Sequence, residues 1–561
     1  MNKKIFVLAG ITILMITMSA CGSSSKNVGK DDGIKSNSEN VSKTSFPIVK
    51  DKLKLSMFAP NMGESNYADM AFLKEYSKKT NIEFDYTTPP LADVETKLNL
   101  VLGSGDAPDV IYASNITTDQ IGRYGGSVLI PLEDYIDKGY MPNFKKILDK
   151  YPSVKKSIST PDGHIYTLPF LTNKYLVDDK DYSKKTIINQ GSLWFNGEWL
   201  KKLNLEVPKT TDDLYKTLKA FKEKDPNGKG DEIPLSTSSP TQDKLSVLRP
   251  WIMSAFGVLS QEQQVDKNGK VTYGAIQDNY RDYLEFMHKL YSDKLLDQEV
   301  FSQSDDTLKA KGHSNRLGAF VDWYSYFATG KNTDEAMGDP MANPMTSKDS
   351  KKAVFPVSDG ITNGTFALTN KCKNPAAALR WVDYFYSEKG AQELNCGPDE
   401  TKGGYWHWDK NDKGEKVRVL NKDIPYDKAD EARGKVTPDY GTVPPKVNAH
   451  APIVLENKND PVEDDKISQF SNKEAENKIK PAAKIAWPTI LVSKENQDKI
   501  GSTMETDLLT YVQQSEASFI AGKVKLTDDT WKKYIETLKG IGVDKYTEIQ
   551  QNIYDDWCKT K

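Results

Sequence analysis

Oxygen donors and glycines alternate through Asp225-Pro226-Asn227-Gly228-Lys229-Gly230-Asp231-Glu232, the composition of a loop that wraps a hard cation. Asp225, Asn227, Asp231 and Glu232, with one main-chain carbonyl, are the candidate ligands of a structural calcium. Lys229 and Ser236 weigh against them: an ammonium stands inside the loop, and a hydroxyl takes the place of the bidentate Glu that closes an EF-hand. A plain turn ending the preceding helix accounts for the same residues, and both readings are open.

A second chemistry is written in aromatic rings beside short polar groups. Tyr112 ends an apolar run after Asp109, and Trp194 sits in the middle of Ser192-Leu193-Trp194-Phe195. Trp251 follows Arg249-Pro250, Asp322-Trp323-Tyr324 follows Leu317 to Val321, and Tyr405-Trp406-His407-Trp408 follows a glycine pair. Flat rings with polar edges stack on sugar faces, while Asn61, Glu64, Asp322 and Arg249 can bond hydroxyls. The same rings serve as core packing, and polar neighbours mark Trp323 and Trp406 as the ones to face a ligand.

Cys21 carries the third. Lys3 and Lys4 precede an apolar run of 14 residues, Ile5 to Met18, and Ser19-Ala20 lead into Cys21. A transmembrane helix needs about 20 residues, so residues 1–20 read as a lipoprotein signal peptide and Cys21 as the lipidated first residue of the mature chain. Palmitate-length acyl chains would hold the protein to the cell membrane on its outer, extracytoplasmic side. Residues 21–45, rich in Ser, Asn, Lys and Asp, lack the apolar surface to order themselves and read as a disordered tether.

The elements that must position these groups are legible in part. Alternation over Lys52 to Phe58, a helical face of Met70, Leu73 and Tyr76, and the strand-like Ile82 to Tyr86 predict a β-α-β start with parallel strands. Thr210 and Asp213 predict a capped helix with Leu214, Leu218 and Phe221 on one face. Asn374-Pro375 opens another, bearing Leu379, Val382 and Tyr386 and ending before Gly390; Thr527 caps a third, with Trp531, Tyr534 and Leu538. The C-terminal third is therefore expected to be helix-rich. At 561 residues the chain exceeds a single core and should form two lobes. Its net charge of -3 gives no basic face for nucleic acid. Of four cysteines, Cys372 and Cys396 are the pair whose spacing allows a disulfide.

Lys97 to Ile111, KLNLVLGSGDAPDVI, resembles a signature of family 1 extracellular solute-binding proteins of ABC importers. Asp162 to Pro169, Trp199 to Thr210, Asn374 to Gly390 and Phe519 to Gly522 resemble further family segments in the same order, in the branch that takes up oligosaccharides. The resemblance implies an α/β, two-lobed periplasmic-binding-protein-like fold of type II, with lobe I at 46–167 plus 315–364 and lobe II at 168–314 plus 365–561. It implies a lipid-anchored monomer that captures an oligosaccharide in the inter-lobe cleft and delivers it to the transmembrane subunits of an ABC permease. It requires no cofactor, although alginate-binding relatives hold calcium in a loop two residues longer than Asp225 to Pro234. Motifs of nucleophilic or metal hydrolases are missing and the five histidines are scattered, so no enzyme is expected. The alternative is a secreted polysaccharide-acting hydrolase, whose paired carboxylates leave no sequence signature.

Overall fold

The computed structural model describes residues 40–61, 66–172, 191–239, 241–411, 414–424, 428–449, 453–455, 464–501 and 503–559. Cys21, Glu64, the signal segment and residues 21–39 of the expected tether lie outside the described residues; residues 40–45, expected in that tether, are instead bonded to the first lobe, with the Ser42 N–H on the Ile48 carbonyl at 2.8 Å and Arg380 on the Thr44 carbonyl at 3.1 Å. The chain opens with β1 (Leu53–Phe58), β2 (Ile82–Thr87), β3 (Val110–Tyr112) and β4 (Thr167–Leu171). As the β-α-β start predicts, β1 pairs parallel with both β2 and β3. Leu55, Met57 and Phe84 bury one face of this sheet against helix Ala71–Thr80.

A second sheet follows. It is built from β5 (Ser192–Phe195) and β6 (Ile233–Ser236) and, beyond a small hairpin of β7 (Gln263–Val265) and β8 (Val271–Tyr273), from β9 (Leu317–Asp322). β9 lies in the middle, antiparallel to β5 and parallel to β6. The chain returns through β10 (Phe355–Val357) to β11 (Ile361–Leu368), which inserts antiparallel between β3 and β4. An outlying sheet of β12 (Trp406–Lys410), β13 (Lys416–Leu420) and β14 (Ile453–Leu455) follows, and β15 (Ala483–Ile485) pairs parallel with β10.

These pairings correct the lobe boundaries expected from sequence. Residues 315–357 belong with the second sheet, because all five inner residues from Leu317 to Val321 are buried between β5 and β6. β11 and the helices after it, through Leu394, belong with the first core. The crossings therefore fall between β4 and β5, between β10 and β11, and after Ala449; Asn315 is not one of them.

The capping box of Thr210 and Asp213 forms, as does the Pro375 helix start. That helix stops at Asp383, earlier than Gly390. Ser387 caps a new helix containing Gly390, where a Cβ would meet the Tyr384 carbonyl at 2.0 Å. Cys372 and Cys396 are both buried free thiols, so the disulfide that their spacing left open is not formed. No helix among the described residues is long and apolar enough to cross a membrane.

Candidate functional site

Strand ends present the ligand-facing groups of an open α/β sheet, and β9 supplies the clearest case. Its last residue, Asp322, accepts the Trp323 N–H at 2.7 Å, and Trp323 beyond it is 55% exposed. Tyr324 stacks on Tyr326 with centroids 5.9 Å apart, and its hydroxyl bonds Ser468 Oγ at 3.3 Å. Phe327, itself partly exposed, meets both tyrosines. The result is an aromatic platform at the carboxyl end of β9, with one open indole beside a carboxyl group. Burial pushes the Asp322 carboxyl up to about 7, helped by the nearby Asp305 and opposed by the Trp323 N–H. At neutral pH it can therefore donate as well as accept a hydrogen bond, the pairing that sugar hydroxyls offer.

A second site lies between the lobes. Thr118, Asp119 and Arg123, on the helix that follows β3, face Trp487 and Thr489 of the segment after β15, and Gln263, Gln497 and Glu505 of the second lobe complete a cavity of about 720 Å³. Gln497 Nε2 donates across the lobes to the Thr118 carbonyl at 2.9 Å. Arg123 pairs with Asp119 at 3.2 Å, and Tyr546 donates to Gln263 Oε1 at 3.1 Å. Burial raises the Glu505 carboxyl, with Asp119 of the other lobe adding to the shift. Burial, then the charge of Glu505, pushes Glu262 up to about 7. Polar amides, the raised Glu505 carboxyl and one indole make this cavity a hydrogen-bonding container. None of its lining residues stands out in the sequence, because single polar residues on helices far apart in the chain carry no motif.

Asp359 ties the crossings behind this cavity. Its carboxylate accepts the Thr489 N–H at 2.7 Å, the Thr489 hydroxyl at 3.0 Å and the Ile361 N–H at 3.1 Å. Together with the β10–β15 pair, this joins the crossing between β10 and β11 to the segment that follows β15 by short-range bonds, the kind of tie a hinge uses.

The other expected contacts are placed differently. Asn61 lies just past β1, where its main chain is fastened to Pro89 and Leu91 and its side chain is half-buried. Tyr112, Trp194, Trp251 and Trp406 are corrected to packing residues: each is less than 5% exposed. Tyr112 sits edge-on to Trp381, and Trp251 packs on Phe355 with centroids 4.5 Å apart. Trp406 donates to the Cys396 carbonyl at 2.9 Å; its neighbour Trp408 is the exposed one, and Lys416 and Arg418 lie over its ring. Arg249 binds no ligand either. Its guanidinium is buried between Asp243 at 2.7 Å and Glu516 at 2.6 Å, and Glu516 also accepts from Tyr283 at 2.8 Å.

The four expected calcium ligands do not converge. Asn227 turns its amide N–H toward Asp231 Oδ1 at 2.8 Å, and Arg316 Nε meets Asp231 Oδ2 at 3.0 Å. Asp225 accepts the Gly230 N–H at 3.0 Å. Burial and a hydrogen bond to Asp225 raise the Glu232 carboxyl, and that bond, followed by the Gly230 N–H, lowers Asp225, as for two carboxyl groups sharing one proton. Calcium needs six or more oxygens aimed at one point. Here both oxygens of Asp231 are taken, one by the Asn227 amide and one by the Arg316 guanidinium, so a cation at that carboxylate would displace its own-chain partners; among the described residues no group of three acidic, His or Cys side chains forms a metal cage.

Comparison with known proteins agrees with this architecture. The profile of the bacterial extracellular solute-binding protein family matches residues 59–392. The chain is 29% identical to the fructooligosaccharide ABC transporter substrate-binding protein FusA of Streptococcus pneumoniae serotype 4, with 98% of each chain covered. The solved structure of S. pneumoniae FusA in complex with kestose has a TM-score of 0.69 at 26% identity, over 91% of this chain and 100% of that one. A FusA EF-hand mutant in complex with fructo-nystose gives 0.70 at the same identity and coverage. With a family match over more than half its length and the two-sheet, three-crossing topology described above, this chain belongs to the bacterial extracellular solute-binding protein family.

Proposed function

We propose that this solute-binding protein of an ABC sugar importer captures an oligosaccharide of the fructooligosaccharide kind between its two lobes and releases it unchanged. The observation that carries the reading is the inter-lobe cavity, whose walls come from Thr118 and Arg123 on one side of the hinge and Gln497 and Glu505 on the other. A ligand that bonds both walls favours the closed arrangement over the open one by the sum of its contacts to the second wall, so binding shifts the hinge equilibrium. At the separate platform on the end of β9, Trp323 is an open ring on which a sugar can stack. Full-length similarity to FusA supports the sugar class.

In this reading the closed form is delivered to the transmembrane subunits of a permease by a monomer held to the membrane through lipidated Cys21. No bond cleavage is required of the protein. A thermal-shift and calorimetric screen with kestose, nystose and longer fructans tests the proposal: saturable stabilisation without product supports it. Hydrolysis of any of these sugars, or unchanged melting with every oligosaccharide offered, overturns it.

A further inference from the structure

The loop between helix Thr211–Glu223 and β6 has the composition of a cation loop and the hydrogen bonds of a turn. The FusA relative has an EF-hand, the element altered in its mutant form, and Asp225 to Glu232 has the composition of such a loop. We infer that this chain has exchanged the loop metal for its own side-chain cations: Arg316, with Lys229, closes the Asp225–Glu232 turn, and the fold is independent of calcium.

The donors come from two directions. Arg316 Nε reaches both the Asp231 carboxylate at 3.0 Å and the Asp231 carbonyl at 3.1 Å. Lys229 reaches in the opposite sense, from the loop to the Ser314 carbonyl at 3.1 Å, and Asn227 Nδ2 adds a bond to the Asn315 carbonyl at 3.3 Å. Lys202, on a neighbouring helix, donates to the Pro226 carbonyl at 2.7 Å. In a calcium loop the oxygen lone pairs point inward to the ion and the peptide folds around it. Here the Asp231 carboxylate faces the Arg316 guanidinium and the Asn227 amide, the Pro226 carbonyl faces the Lys202 ammonium, and the turn is clamped to residues 314–316.

Charge and chain length agree with that exchange. The Arg316 guanidinium already lies against Asp231, so a divalent ion at the same carboxylate would face a like charge within a few ångströms. The loop is short: Asp225 at φ 46°, Gly228 at 73° and Gly230 at 66° reverse the chain within six residues. The clamp also has a mechanical consequence. Arg316 directly precedes β9, whose far end presents Asp322 and Trp323, so fastening residues 314–316 holds the strand that carries the platform.

Melting of the full-length chain in chelator and in millimolar CaCl2, with a calorimetric titration of CaCl2, tests the inference. The two melting temperatures are expected to agree within about 1 °C, with no saturable heat. Arg316→Gln is expected to melt roughly 3–5 °C below the native chain in chelator and in calcium alike. A rise of about 5 °C or more on adding calcium to the native chain, or saturable calcium binding abolished by Asp225→Asn, overturns it. Should Arg316→Gln fail to fold, the titration of the native chain decides the question.

Discussion

The Trp194 indole N–H donates to the Asp322 carbonyl at 3.0 Å, so a ring buried in β5 fixes the point where β9 ends and Trp323 turns outward. Trp194 itself is 1% exposed and packs against Phe470. Its contribution to a ligand site is thus positional. The ring that can touch a sugar is the neighbour of the residue it holds.

That division predicts opposite phenotypes for two tryptophans. Trp323→Ala removes an open ring with little packing around it, so melting should stay within about 1 °C of native while oligosaccharide affinity falls roughly fivefold, the equivalent of about 1 kcal/mol. Trp194→Phe loses a buried hydrogen bond worth about 1 kcal/mol and should lower the melting temperature by roughly 2–4 °C, with a smaller loss of affinity. Calorimetry and thermal denaturation of both variants check the pair.

Arg249 belongs wholly to stability. Truncation to Ala leaves Asp243 and Glu516 facing each other in a buried site without their cation, and a broken buried pair costs about 3–5 kcal/mol. Arg249→Ala should therefore unfold at much lower denaturant, whereas a ligand-contact role would leave the chemical denaturation midpoint unmoved and change only affinity.

Asp322 makes stability depend on pH with a definite sign. Its folded-state pKa of about 7 lies above the ordinary value, so the folded chain binds more protons than the unfolded chain between those two limits. The native state keeps the benefit of the neutral carboxyl below about pH 4 and loses it as pH rises toward and through 7, by up to a few kcal/mol. Glu262, pushed up to about 7 by burial, acts in the same direction. Asp322→Asn should thus gain melting temperature relative to native at pH 8 and show little gain at pH 5; equal shifts at both pH values would refute the assignment.

Asp359 offers a test of the hinge. Asp359→Ala removes three bonds to the crossing segments, two of them to Thr489. The expected result is a loss of about 2 kcal/mol in stability and a more open scattering profile in saturating ligand. An unchanged closed-form profile would place the hinge elsewhere.

Local elements were legible because their signals are local. The alternation of Leu53 to Phe58, the capping box of Thr210 and Asp213 and the Pro375 helix start each lie within a few residues of what they determine, and each formed. Gly390 misled for the same reason: as a helix stop it is a one-residue signal, but its role is to let the chain pass the Tyr384 carbonyl.

By itself, the sequence determined the parallel β-α-β opening, the two-lobed α/β class and the family motifs, all of which are patterns along the chain. Tertiary structure alone decided the rest. Burial is a property of contacts between distant segments, so Trp194, Trp251 and Trp406 went inside while Trp323 stayed out, although all four are equally hydrophobic rings. The same holds for Arg316, which reaches a loop 85 residues earlier in the chain, and for the inter-lobe cavity, where Thr118 and Gln497 meet across 379 residues of sequence. No local rule couples such positions; they are brought together by the order of strands in two sheets and by the three crossings between them.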